Sequence, residues 1–262
     1  MININKGEVM DEKNFLERGY GIVEAEDMGK LNRLRDAIFH KAREIVDYKG
    51  DDAEEFFNNF HNYKIQGAQL NEKRMEIIKW CNQNLETGKT VYEIFEKSIT
   101  QLIGPDVVTQ KNTNLVIQQP GDMDIASTHR DSPLNSHFEI IVWLPLVDVY
   151  GTKSMYMLDL KKSLASLELL KKTKTGYNDF NKYAIEHGEN VTIPYGKALL
   201  FWPGLAHGAH VNKEKETRWA LNMRYKNIFS PCGPKGLTEF FDLLRLSPLA
   251  KIAFDYERQM YG

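Results

Sequence analysis

Apolar residues in the first part of the chain recur at helical intervals. Between residues 24 and 46, Met28, Leu31, Leu34, Ile38 and Ile45 are separated by Lys, Arg and Asp, the pattern of a helix with one apolar face. A second, more polar helical stretch covers 52–60. A third runs from Asn71, whose side chain suits an N-cap, through Met75, Ile77, Ile78 and Trp80. A fourth spans 91–102 and stops at Gly104-Pro105.

Beyond Pro105 the pattern changes to short apolar or alternating runs separated by Gly, Pro, Asn and Asp. The runs are 106–110, 113–119, 125–131, 137–149, 154–158, 190–193, 197–202, 206–211 and 218–228. Short strands at this spacing predict an antiparallel β unit with enough strands for a small barrel. A Lys-rich, leucine-spaced stretch at 160–188 reads as a helical insertion. The end of the chain, 231–262, reads as helical again, broken near Ser247-Pro248, and its apolar residues suit packing on the barrel or on a second copy in a homodimer. The expected class is α+β with a mainly β core. It forms one domain over 1–262: helical support at 1–104, a β core at 105–230 and a C-terminal tail.

Composition narrows the partners. A chain of 262 residues with 42% hydrophobic content can bury a substantial core. A net charge of −2 offers no general attraction to nucleic acid or anionic bilayers, so a small-molecule substrate is expected. Cys81 and Cys232 fit neither a disulfide framework nor a zinc spacing, which points to a reducing cytoplasm. The start, MININKGEVMDEKNF, has no apolar core of a leader, and no run of about 18 apolar residues marks a membrane span.

His129-Arg130-Asp131 closes one of the expected strands. Side chains alternate there, so His129 and Asp131 point the same way and Arg130 points away. The segment FWPGLAHGAH adds a histidine on a late strand. Two imidazoles and one carboxylate form a facial triad that leaves three positions of Fe(II) open, as oxygen chemistry requires. Arg218 follows His207 by eleven positions, where its guanidinium suits a bidentate grip on a distal carboxylate. His210 alternates to the opposite face from His207. Arg224 shares the face of Arg218 and is the reserve clamp or a substrate contact. Asn114, Val116 and Gln118 share one face, and their two amides either meet cosubstrate or substrate or form a polar edge in water. Trp143 and Trp202 read as core aromatics.

In ordered blocks, FLERGYGIVEAED, NLVIQQPGD, THRDSPLNSHFEIIVWLPLVD, GTKSMYML, YGKALLFWPGLAHGAHVNKEKETR and WALNMRYKNIFSP, the chain resembles the Fe(II)/2-oxoglutarate dioxygenases. The similarity is to the phytanoyl-CoA dioxygenase-like branch and to oxygenase-like proteins of bacterial carbohydrate and aminoglycoside clusters. The resemblance implies a double-stranded β-helix, or jelly roll. It implies iron on His129, Asp131 and His207, and 2-oxoglutarate anchored by Arg218 with Asn114 and Gln118 nearby. The implied activity is O2-dependent hydroxylation, with 2-oxoglutarate decarboxylated to succinate and ascorbate supporting the assay. Two blocks depart from the pattern. Ala220 stands where many relatives have a hydroxyl residue, and GTKSMYML lacks their Asn-Gly turn. The carboxylate of Asp131 argues against the halogenating relatives, which carry a small residue there. The alternatives are a cupin-type enzyme, although no HxH pair with a following Glu is present, and a non-catalytic β-helix module that binds sugar or metal.

Overall fold

A computed structural model describes residues 10–123, 125–172 and 174–261, so most of the charged N-terminal segment lies outside the described residues. Helices α1 (Glu12–Arg18), α2 (Met28–Ile45) and α3 (Ala53–Asn58) follow a common rule at their starts. Asp11, Asp27 and Asp52 each accept a backbone N–H of the first turn, which would otherwise lack a partner. Strand β1 (Tyr20–Glu24) lies between the first two helices.

Helix α4 (Gly67–Asn84) begins four residues before the expected cap at Asn71. Burial of Leu70 extends the helix backwards, and Asn71 instead accepts from Arg74. The single helix expected over 91–102 is two, α5 (Thr87–Ile94) and α6 (Glu96–Ile103). They break at Phe95 because the Glu26 carboxylate, brought from a distant segment, caps the new helix by accepting from Lys97 and Ser98 N–H.

The strands β2 (Val107–Gln110), β3 (Leu115–Gln118), β4 (Glu139–Pro145) and β5 (Met155–Met157) precede the insertion. The insertion itself folds as α7 (Leu160–Lys172) and α8 (Gly176–His187). After it come β6 (Glu189–Asn190), β7 (Lys197–Phe201), β8 (His207–Ala209) and β9 (Arg218–Asn227). The chain ends with α9 (Leu237–Phe240), β10 (Phe241–Arg245) and α10 (Pro248–Tyr261).

Antiparallel pairing arranges seven strands in one sheet, in the order β1-β7-β4-β9-β2-β10 with β3 also on β9, and three in a second, β6-β5-β8. No ladder joins the two sheets into a closed barrel among the described residues. Two strands differ from the pattern the sequence predicts. The segment FDLLR has helical leucine spacing yet becomes β10 because the short β2 leaves an edge for it to pair. Similarly β1 completes the other edge against β7. Conversely, the run 125–131 is not a strand. It makes a single bridge, His129 to His207, because its partner β8 is only three residues long.

Strand β9 organises the molecule. Trp219, Leu221, Met223 and Tyr225 face the helices and join Leu31, Ile38, Phe57 and Ile99 in the larger core. Ala220 faces the small sheet, in a second core with Ile141, Trp143, Leu199, Phe201, Met155 and Met157. Arg218, Asn222 and Arg224 share its side by the period of two. The Trp219 ring is held by Phe57 at 4.8 Å and Phe60 at 5.0 Å. Trp219→Ala is therefore expected to cost about 3–5 kcal/mol, read as a lower urea midpoint. An unchanged midpoint would show that the helices do not depend on this contact. Among the described residues no helix is long and apolar enough to cross a membrane.

Candidate metal centre

The bridge between His129 and His207 sets the geometry. His129 N–H donates to the His207 carbonyl at 2.9 Å and His207 N–H returns the bond at 3.0 Å, so both imidazoles leave the backbone on one side. Their ring centroids are 4.3 Å apart. Each Nδ1 is tied to a backbone carbonyl two residues earlier, Ser127 at 2.8 Å and Leu205 at 3.0 Å. Those bonds place the proton on Nδ1 and leave both Nε2 lone pairs free, the arrangement of metal-ligating histidines.

Asp131, two residues after His129, completes the set. Its Oδ1 lies 4.0 Å from His129 Nε2, and its Oδ2 lies 3.9 Å from His207 Nε2. One donor atom from each of the three residues falls within 4.8 Å of the others. Asp131 Oδ2 is buried and has no hydrogen-bond partner among the described residues. A buried carboxylate oxygen without a donor is costly, and a cation between the three groups removes that cost. His207 is 4% exposed, and its pKa falls to about 4 through burial, with the neighbouring His129 adding to the effect. It is therefore neutral at physiological pH, the form that ligates. The donor set of two imidazoles and one carboxylate fits a first-row divalent metal with open positions.

The other expected residues fall into two groups. Gln118 and Arg218 are opposite each other across β3 and β9, in the register that pairs Val116 with Ala220, so all four share the side facing the small sheet. Asn114 lies on the same side, its carbonyl accepting from Asn222 N–H at 2.8 Å. Gln118 Nε2 donates to the His210 carbonyl at 2.7 Å, and its Oε1 is buried without a partner among the described residues. Arg218 is 5% exposed. Its Nη1 donates to the Ser154 carbonyl at 2.9 Å, its Nε has no partner among the described residues, and its guanidinium stands 5.9 Å from the centre of the Trp143 ring. Burial lowers its pKa to about 10, against the opposing charge of Asp122.

His210 turns to the far side of the small sheet and rests on Tyr156, ring centroids 4.5 Å apart. Arg224 is in the site but occupied, since its Nη2 donates to Asp131 Oδ1 at 3.1 Å. Arg130 is partly buried, which lowers its pKa. Trp143 is core, while Trp202 is partly buried and donates its Nε1–H to the His137 carbonyl.

Several residues of the site carry no separate signal in the sequence. Asn222 can be found by counting in twos from Arg218. Glu139 enters only because β4 pairs β9 in the register that sets it opposite Lys226, with Ile141 opposite Arg224. Thr128 is held from the insertion, where Asn181 Oδ1 accepts from its hydroxyl, and from β5, where Tyr156 Oη stands 2.7 Å away. The insertion is thereby anchored one residue from His129. A cavity of about 500 Å³ between α8 and the small sheet, lined by Tyr156, Asn181, Ile185, His210 and Lys213, lies on the face away from the His207 side chain.

No family model matches the chain. No curated protein matches it either. Among solved structures it is similar to a non-heme monooxygenase, ThoJ, in its apo form, with a TM-score of 0.54 and 13% identity over 90% of this chain and 83% of that one. The ThoJ–nickel complex gives 0.51 and 14% over 94% of each chain. AviO1 from Streptomyces viridochromogenes Tue57 gives 0.51 and 14%, over 85% of this chain and 96% of the other. At these identities the likeness establishes a shared fold.

Proposed function

We propose that the protein is a non-haem Fe(II), 2-oxoglutarate-dependent oxygenase that hydroxylates a small molecule, in the class of sugars, nucleotide sugars or secondary metabolites. The convergence of His129 Nε2, His207 Nε2 and the unpartnered Asp131 Oδ2 carries this reading. The fold supports it, because the neighbour ThoJ is a non-heme monooxygenase seen with nickel. The two sheets, packed through Ile141, Trp143, Met155 and Met157, are then the halves of a double-stranded β-helix.

Fe(II) held by these residues would activate O2 with the electrons released as 2-oxoglutarate loses CO2 to become succinate. The protein supplies the rest. Ser127 and Leu205 carbonyls keep both imidazoles in the ligating tautomer. Arg218 offers a buried guanidinium with one free Nε–H to the far carboxylate of the cosubstrate, and the Trp143 face shields it from water. Gln118, across from it, offers the unpartnered Oε1 to a protonated group of cosubstrate or substrate. With Ala220 two positions on, no hydroxyl assists the clamp from β9.

Purified protein with Fe(II), ascorbate and 2-oxoglutarate, offered a panel of sugars and nucleotide sugars, should form succinate in step with an oxidised product. Mass spectrometry of that product separates hydroxylation from desaturation or epimerisation at the same centre. A protein that binds sugar or metal without consuming 2-oxoglutarate would instead be the non-catalytic module. Saturating Ni(II), at about a hundred times its Kd, should stabilise the fold by roughly 2.7 kcal/mol and raise Tm, with reversal by a chelator. An unchanged Tm would argue against the site. The exposed apolar residues of α10, Leu249, Ile252, Tyr256 and Met260, are the surface we assign to a homodimer, with Lys251 and Glu257 as self-complementary charges. Light scattering of the wild type against Ile252→Lys tests it, and a monomeric wild type refutes it.

A further inference from the structure

A carboxylate can bind a metal through one oxygen or through both. The choice matters here, because a keto acid chelate takes two of the three positions left by a facial triad and O2 needs the last. Asp131 Oδ1 and Oδ2 stand 4.0 and 3.9 Å from the two histidine Nε2 atoms, so distance alone permits both to reach one ion. Their surroundings are different. Oδ1 accepts from Arg224 Nη2 at 3.1 Å, a charge-assisted bond in a site where Asp131 and Arg224 are each nearly buried. Oδ2 has no donor among the described residues.

Arg224 is in turn steadied from behind. Its Nε lies 4.0 Å from Glu139 Oε2, and neither atom has another partner among the described residues. Glu139 Oε1 is fixed by Ser136 N–H at 2.8 Å. A guanidinium thus stands beside the metal position, with the Glu139 carboxyl behind it.

We propose that Arg224 is a positioning residue that holds Asp131 to a single donor oxygen, Oδ2, and so keeps the remaining metal positions open to the keto acid and O2. The inference rests on the triad being a ferrous site and assigns a role to residues outside it. It also gives the two arginines different tasks: Arg224 donates Nη2–H to a metal ligand, whereas Arg218 donates to the Ser154 carbonyl and to no residue of the triad.

The sign of the effect separates this role from a merely structural one. Loss of a positive charge next to Asp131 lowers the repulsion felt by an incoming dication, so metal binding should not weaken. Chelation of the keto acid should weaken, because Asp131 can then close over a position the cosubstrate needs. The test is a Co(II) calorimetric titration of metal-free protein, followed by an anaerobic 2-oxoglutarate titration of Fe(II)-loaded protein through the visible charge-transfer band of the chelate.

For Arg224→Gln, Co(II) Kd should stay within about threefold of wild type while 2-oxoglutarate Kd rises roughly tenfold or more. Arg224→Lys, which keeps a cation and a donor, should recover part of the loss. Glu139→Gln should move in the same direction by less, and the same two titrations on it decide the question if Arg224→Gln does not fold. Unchanged 2-oxoglutarate affinity in the folded variants would overturn the proposal. So would a parallel loss of Co(II) and 2-oxoglutarate binding, which marks general damage to the site. Failure of the wild type to bind one Co(II) would refute the ferrous reading itself and this inference with it.

Discussion

Asp131→Ala is expected to abolish stoichiometric Fe(II) binding and all 2-oxoglutarate turnover. Two imidazoles remain, yet the only carboxylate donor of the triad is gone, and with it the negative charge that draws a dication into a site already holding Arg224. The substitution also strands the Arg224 guanidinium, whose remaining acidic neighbour among the described residues is Glu139 at 4.0 Å. Removing one partner of a buried ion pair costs about 3–5 kcal/mol, so a lower Tm accompanies the loss. Asp131→Asn keeps the shape and loses the charge, and it separates the two effects. Metal content after dialysis and succinate release are the measurements. Wild-type metal occupancy in either variant would place the ion elsewhere.

Arg218→Ala is the second large effect. Truncating one side of a buried, hydrogen-bonded charge pair costs about 2–5 kcal/mol, so 2-oxoglutarate affinity should fall by roughly 30- to 4,000-fold. Metal affinity should be nearly unaffected, because Arg218 is bonded to the Ser154 carbonyl and to no ligand of the triad. Arg218→Lys supplies a point charge without the fork and should restore only part. If Arg218→Ala leaves 2-oxoglutarate binding intact while Arg224→Gln eliminates it, the clamp has been assigned to the wrong arginine.

The residues of the triad are legible in the sequence because two local rules bring them together. The two-residue spacing keeps Asp131 beside His129 even though the segment is not a strand, and the bridge with His207 needs only backbone pairing. Alternation separates His207 from His210 and places Arg218 with Arg224. What alternation does not reveal is which partner each side chain meets. The engagement of Arg224 with Asp131 depends on two segments 93 residues apart. The same limit explains where the fold departs from the sequence pattern. Glu26 splits a helix from 71 residues away, and β10 is made by an open edge rather than by its own leucine-rich sequence. The insertion is visible as helices, but its hold on Thr128 through Asn181 depends on packing that no local pattern encodes.

A crystal structure of the protein with Ni(II) and 2-oxoglutarate measures the central arrangement most directly. The expected result is one ion bound by Nε2 of His129, Nε2 of His207 and Oδ2 of Asp131, with the far carboxylate of the keto acid on Arg218 and Oδ1 still on Arg224. An ion bound away from these three residues, or a keto acid lying on Arg224 with Arg218 unengaged, would contradict it.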